Sequence, residues 1–72
     1  MNHITEQWKL IQYHENYEVS TLGRVRNTQT GKIMRPSFIK GGYPNITLRK
    51  HKLSYYYHIH RLVAETFLLP PL

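Results

Sequence analysis

Two arginines, Arg24 and Arg26, lie on either side of Val25, directly after a glycine. On an extended strand successive side chains point to opposite faces. The two guanidinium groups would therefore share one face, and Val25 would occupy the other. Such a strand buries one residue and presents two cations to a partner outside the domain.

The charges of the whole chain indicate what that partner is. Ten Lys and Arg against four Glu give a formal net charge of +6, and Asp is absent. Residues 19–64 contain no acid but nine bases: Arg24, Arg26, Lys32, Arg35, Lys40, Arg49, Lys50, Lys52 and Arg61. A basic surface kept for solubility is the alternative, but added acids serve solubility better. A polyanion is the favoured partner, and nucleic acid is the commonest one.

The length of the chain predicts one small domain over residues 1–72, and we expect a flexible N-terminus at 1–7. A chain of this size buries only about 60% of its unfolded surface, so the core must be small. Without cysteine, neither disulfides nor thiolate-bound zinc can support it. No apolar run is long enough to span a membrane, and a cytoplasmic protein is expected.

The histidines and the acids decide whether the chain could hold a metal or catalyse a reaction. His58 and His60 could share a strand face, with His51 as a third ligand, but a helix that begins near His60 would separate them. Phosphodiester hydrolysis usually needs a metal held by carboxylates or a histidine pair. Because Asp is absent, we expect no catalytic residue, no metal, no cofactor and no enzyme activity from these 72 residues.

A β-hairpin is the clearest predicted element, over residues 43–59. The face of the hairpin that carries Ile46, Leu48 and Ile59 is assigned to the core, with Tyr55 and Tyr57 beside them. The opposite face would carry donors and no carboxylate, a composition suited to phosphates or base edges. Its members are Asn45, Thr47, Arg49, Ser54, Tyr56 and His58, and Lys50, His51 and Lys52 form the tip.

The remaining elements complete a predicted α+β fold, a small antiparallel sheet of short strands and one longer hairpin with a C-terminal helix packed on it. Short strands are expected at Trp8–Ile11, around Tyr17 and Val19, and at 24–27, with a turn at 14–16. The helix should run from His60 to about Leu69, where prolines follow. The predicted core is Trp8, Val19, Val25, Ile33, Ile46, Leu48, Ile59, Leu62, Val63 and Phe67.

The outward face of this helix becomes apolar at its C-terminal end, at Leu68, Leu69 and Leu72. Arg61 and Glu65 lie on the same face, four residues apart, as an ion pair would. An ordinary amphipathic helix with frayed ends is one interpretation. The other is that something covers the leucines, and a homodimer through the helix is one such arrangement.

Five segments, in order, resemble the nuclease-associated modular DNA-binding domain of the fourth type (NUMOD4), found at the N-terminus of HNH homing endonucleases. The stretch YEVSTLGRVRN is similar to the signature Tyr-x-Val-Ser-Asn-x-Gly-x-Val-x-Ser, with Thr21 and Asn27 as mild departures. The other four are WKLI, GKIMRP, GGYPNITL and HRLVAETF, so the likeness covers about 8–67.

The resemblance implies a β-rich module that lies on duplex DNA, with Arg24 and Arg26 on phosphates or guanine edges. In the family an HNH core follows, with a segment like Val-Asp-His-x-Asp-Gly-Asn, and this motif is absent here. The core would begin at 70–72. The predicted contacts are Arg24, Arg26, Asn27, Arg35, Lys40, Asn45, Thr47, Arg49, Lys50, His51, Lys52 and Tyr56.

Two other interpretations remain open at this point. A small phage-type inhibitor or regulator could use the same basic surface to bind an acidic protein. Alternatively, the 72 residues are a fragment of a longer HNH endonuclease.

Overall fold

The computed structural model describes residues 5–38 and 41–68. Seven strands form two antiparallel sheets, and a short helix ends the described chain. The first sheet contains β1 (Trp8–Ile11), β2 (His14–Ser20), β3 (Val25–Asn27) and β4 (Ile33–Met34), in that order. The second contains β5 (Ser37–Phe38), β6 (Pro44–Lys50) and β7 (Leu53–His58). The helix α1 (Ile59–Val63) continues as a π-helical segment (Ala64–Leu68).

Both sheets and the helix contribute to one apolar core. Its buried members are Ile11, Val19, Val25, Ile46, Leu48, Ile59 and Leu62. Ile46 and Leu48 share one face of the second sheet because side chains alternate along a strand, whereas on β2 the adjacent Val19 and Ser20 are both buried. The register pairs Val19 with Val25 in the first sheet, and Ile46 and Leu48 with Tyr57 and Tyr55 in the second. Burial of these faces against α1 holds the two sheets together.

The β2–β3 turn is held by several hydrogen bonds around one buried serine. Ser20 is fully buried, and its Oγ accepts hydrogen bonds from the backbone N–H groups of Leu22 and Arg24, both at 3.1 Å. Gly23 has a φ of 81°, in the left-handed region that favours glycine. The backbone N–H of Ser20 also donates to the Arg24 carbonyl at 2.8 Å. The turn therefore depends on a serine and a glycine at fixed positions.

The predicted α+β class is confirmed, with the strands divided between two sheets. The predicted turn at 14–16 is wrong, because those residues begin β2 and the turn lies at Gln12–Tyr13. Three core assignments are also wrong. Trp8 is half-buried outside the core, and Ile33 is 39% exposed, while its neighbour Met34 packs inward. Tyr55 is 37% exposed, whereas Tyr57 packs against the core as expected.

The helix begins one residue earlier than predicted, at Ile59. Leu62 is buried and Val63 and Phe67 pack against the core, as expected from their spacing. The predicted pair Arg61–Glu65 is present at 3.1 Å, and Leu68 is 75% exposed. Leu69 and residues 70–72 lie outside the described chain. The stretch predicted to be flexible includes Gln7, whose N–H donates to the Thr21 hydroxyl and whose carbonyl accepts from the Thr21 N–H.

No helix in the described ranges has the length and apolar character needed to cross a membrane.

Candidate nucleic-acid interface

The outer face of the second sheet has the composition that the sequence predicts. The register places Asn45 opposite His58, Thr47 opposite Tyr56, and Arg49 opposite Ser54. These six residues therefore share the face turned away from the core, and we call them the hairpin face. None of the six is a carboxylate, and Tyr56 is 75% exposed. The hairpin face offers hydrogen-bond donors with no fixed negative charge among its own side chains.

The hairpin tip is a two-residue turn, His51 and Lys52, and both residues are exposed. Their φ angles are 52° and 66°, as a type I′ turn requires. Lys50, by contrast, lies on the core-side parity. Its Nζ donates to the Tyr13 carbonyl at 2.6 Å and lies 3.4 Å from a Glu15 carboxylate oxygen. Lys50 therefore ties the hairpin to the β1–β2 turn.

Each of the four glutamates lies within ion-pair distance of one base. The pairs are Glu6–Arg24, Glu18–Arg26, Glu15–Lys50 and Glu65–Arg61. Among the residues that the structure describes, the bases without a carboxylate within 4 Å are Lys9, Lys32, Arg35, Arg49 and Lys52, which we call the uncompensated cations. Lys40, another predicted contact, lies outside the described residues. The net positive charge of the described chain therefore belongs to a few identified side chains.

Arg24 and Arg26 share one face, as predicted, and Val25 is buried between them. Their guanidinium groups lie over the ring of Trp8, with the Cζ atoms 5.6 and 3.9 Å from its centroid. Arg24 Nε donates to Glu6 at 2.8 Å, and Arg26 Nε donates to Glu18 at 2.9 Å. The hydrogen bond from Arg24 lowers the pKa of Glu6 to about 2. Both arginines are thus stacked on an aromatic ring and paired with a carboxylate.

The β3–β4 turn holds Asn27 in a structural arrangement. Its side-chain Oδ1 accepts hydrogen bonds from the N–H groups of Gln29 (2.8 Å) and Thr30 (3.1 Å). The Asn27 carbonyl also accepts from the Gly31 N–H at 2.8 Å. The Asn27 carboxamide oxygen is therefore engaged in the turn, and the contact of Asn27 with DNA stays a prediction. Arg35, after β4, is exposed.

A buried histidine connects the two sheets, and sequence reasoning missed it. His14 is 4% exposed, its ring lies edge-on to Tyr55 and Tyr57, and its Nε2 is 2.7 Å from the Tyr57 hydroxyl. Its Nδ1 is buried without a partner. Burial lowers the pKa of His14, and Lys50 lowers it further, against an opposing effect of Glu15. The alternation of the sequence does not predict the burial of His14, because the pairing of β1 with β2 shifts between Leu10 and Ile11, the residue that pairs with His14.

The expectation that the helix start separates His58 from His60 is wrong, because their rings lie together although α1 begins between them. The rings of His58 and His60 stack with centroids 5.5 Å apart, and Tyr43 lies beside both. Within residues 5–38 and 41–68, no group of three or more His, Asp or Glu side chains is placed to hold a metal ion. His58 directly precedes α1, and His60 lies in its first turn.

The arrangement defines a small basic α+β module in which an antiparallel hairpin presents a carboxylate-free face. The NUMOD4 motif matches residues 6–49, which is more than half of the chain. The chain belongs to the NUMOD4 family. The recognition drawn from the five sequence segments is therefore confirmed.

Two relatives show the same likeness. An uncharacterized HNH endonuclease, L245, of Acanthamoeba polyphaga mimivirus is 38% identical over 65 residues, which are 90% of this chain and 19% of the relative. The DNA endonuclease I-HmuI of Bacillus phage SP01 is 37% identical over 62 residues, which are 85% of this chain and 36% of the relative. This chain thus spans about a fifth to a third of the relatives' lengths.

A solved structure has the same fold. The structure described as DNA binding and cleavage by the HNH homing endonuclease I-HmuI matches with a TM-score of 0.79 and 37% sequence identity. The match covers 85% of this chain and 36% of that chain.

Proposed function

We propose that this chain is a duplex DNA-binding module and that the hairpin face and the tip turn contact the DNA. One observation carries the proposal: the hairpin face and its tip contain uncompensated cations, Arg49 and Lys52, and no carboxylate. A polyanion gains most where positive charge has no internal partner, since binding then releases counterions without breaking an ion pair. The likeness to I-HmuI, whose solved structure is described as DNA binding and cleavage, supports DNA as the polyanion.

The residues divide into phosphate contacts and base or sugar contacts. Arg49, His51 and Lys52 would bind phosphates, which position a protein on the duplex without reading its sequence. Asn45, Thr47 and Tyr56 would face base edges or sugars from the middle of the strands. Strands of this kind fit the major groove, where every base pair presents a distinct pattern of donors and acceptors.

Three predicted contacts have a different main role in this proposal. Lys50 positions the tip through Tyr13 and Glu15, and Arg24 and Arg26 cover Trp8. Arg24 uses Nε and one terminal nitrogen on Glu6, and Arg26 uses Nε on Glu18, so DNA would have to bind the remaining N–H groups of each guanidinium or replace the carboxylate. Their direct contact with DNA stays a prediction.

We also propose that the module does not itself cleave DNA. Its four glutamates are each paired with a base, and the sequence contains no Asp. Metal-dependent hydrolysis usually relies on carboxylates or histidines that hold the ion, and among the described residues no third His, Asp or Glu joins the neighbouring His58 and His60. Incubation of the purified chain with supercoiled plasmid and Mg²⁺ tests this part, and nicking by the chain itself would contradict it.

The binding proposal is tested with the double variant Arg49→Gln/Lys52→Gln on a fluorescent random-sequence duplex. If both side chains bind phosphates, the slope of log K against log[salt] should become shallower by about 2, since each phosphate contributes about 0.9. The control Lys9→Gln/Arg61→Gln removes the same net charge from side chains beside the C-terminal helix. A wild-type chain that shows no duplex binding, or a tip variant with an unchanged slope, contradicts the proposal.

A further inference from the structure

A second basic surface lies on the first sheet, at the β3–β4 hairpin. A groove of about 470 Å³ opens there. It is lined by Tyr17, Asn27, Thr30, Lys32, Ile33, Met34 and Arg35. Tyr17 and Met34 are half-buried and pack against the core, so they form the floor, while the two cations are exposed at the rim.

The charges of this groove have one sign. Lys32 and Arg35 are both uncompensated cations, and among the described residues no carboxylate lines the groove. The turn that carries Lys32 is fixed locally. The Lys32 N–H donates to the Thr30 hydroxyl at 3.2 Å, and the Asn27 N–H donates to the Lys32 carbonyl at 3.0 Å. The backbone that presents these cations is therefore held in place by its own hydrogen bonds.

This groove connects to the hairpin through one side chain. The Tyr17 hydroxyl accepts a hydrogen bond from the Arg49 N–H at 3.3 Å, which joins β2 to β6. Tyr17 also lines a second groove of about 290 Å³, together with His14, Glu15, Asn16, Arg49, Lys50 and His51. The one carboxylate there, Glu15, is paired with Lys50. Tyr17 is thus shared by the two grooves, of which one carries Lys32 and Arg35 and the other Arg49 and His51.

We propose that the β3–β4 groove binds the phosphodiester backbone of the same DNA that contacts the hairpin face. This inference rests on the proposed function and adds a second contact region to it. Charge complementarity identifies the occupant, because the two cations have no partner in the described chain and phosphates supply one. The half-buried floor offers apolar contact to the sugars, and the shared Tyr17 makes the two grooves neighbours that one backbone could contact together.

The test compares two double variants that each lower the formal net charge of +6 by two. The groove variant is Lys32→Gln/Arg35→Gln, and the control is Lys9→Gln/Arg61→Gln. Lys9 lies over the Phe67 ring, with its Nζ 5.9 Å from the centroid, and Arg61 is paired with Glu65, so both control residues lie at the C-terminal helix. Thermal melting of all three proteins first establishes that they are folded.

The readout is the salt dependence of binding to the random duplex. We expect the slope to become shallower by about 2 for the groove variant and by less than about 0.5 for the control. If the wild-type chain binds but both variants behave alike, bulk charge explains the effect and the groove inference is overturned, while the proposed function stands. If the wild-type chain does not bind duplex DNA at all, both proposals fall.

Discussion

Ser20→Ala should destabilise the fold without altering DNA contacts. The change keeps the Cβ of a fully buried residue and removes the Oγ that accepts hydrogen bonds from the N–H groups of Leu22 and Arg24. A buried donor that loses its partner costs about 1–3 kcal/mol. Leu22 and Arg24 are themselves exposed, so water can satisfy part of the loss, and we expect about 1.5 kcal/mol in total.

For a domain of this size each kcal/mol corresponds to roughly 4–8 °C in Tm, so the expected decrease is roughly 6–12 °C. Circular dichroism during thermal unfolding measures it, and Ser54→Ala, at an exposed position on β7, is the matched control. At a temperature where the variant is folded, its affinity for the duplex should equal that of the wild-type chain. A Tm within about 2 °C of the wild-type value would refute the argument that this serine maintains the turn.

Two further predictions concern the core and its turns. Gly23→Ala should lower the free energy of unfolding, measured by chemical denaturation, by about 1–2 kcal/mol, because φ is 81° there. The added Cβ would lie 3.5 Å from Ile59 Cγ2, which is an ordinary contact, so the cost comes from the backbone. An unchanged midpoint would show that the backbone relaxes freely. The lowered pKa of His14 means that the unfolded chain binds its proton more readily, so stability should be constant above the ordinary pKa of 6.5 and fall as the pH decreases below it. Unfolding midpoints measured across this range should show less acid sensitivity in His14→Phe, and an equal fall in both proteins would contradict the assignment.

The β6–β7 hairpin could be predicted from the sequence because its strands are long. Over six or seven residues the alternation fixes which face is buried, and Ile46 and Leu48 point inward as expected. In β4, which has two residues, both are apolar, and alternation alone cannot tell Ile33 from Met34. Short strands therefore give the class of the fold but not the inward residue.

The charge pattern was predicted only in part. The acid-free stretch of 46 residues, 19–64, suggested unpaired bases throughout, yet Arg24 and Arg26 are paired with Glu6 and Glu18. The pairing of β2 with β3 places Glu18 directly opposite Arg26, although eight positions separate them in sequence. A count along the chain cannot detect a partner on the neighbouring strand. The structure was needed to separate paired arginines from uncompensated cations.

The residues that identify the family serve the scaffold. Val19 and Val25 are buried, Ser20 and Gly23 build the β2–β3 turn, and the Tyr17 hydroxyl accepts from the β6 backbone. A motif of this kind predicts the fold because each residue meets a demand of packing, turn geometry or hydrogen bonding. It does not by itself specify a contact surface, since the proposed contacts Lys32 and Arg35 lie within the matched range 6–49 without such a demand on the scaffold.

The central claim is that uncompensated cations of the two basic surfaces bind a DNA backbone. Its most direct test is fluorescence anisotropy of the wild-type chain with a random-sequence duplex at increasing salt. Four cations, Lys32, Arg35, Arg49 and Lys52, predict a slope of log K against log[salt] of about −4. A response that is flat, or absent even at low salt, would contradict the claim and would direct the search to an acidic protein partner.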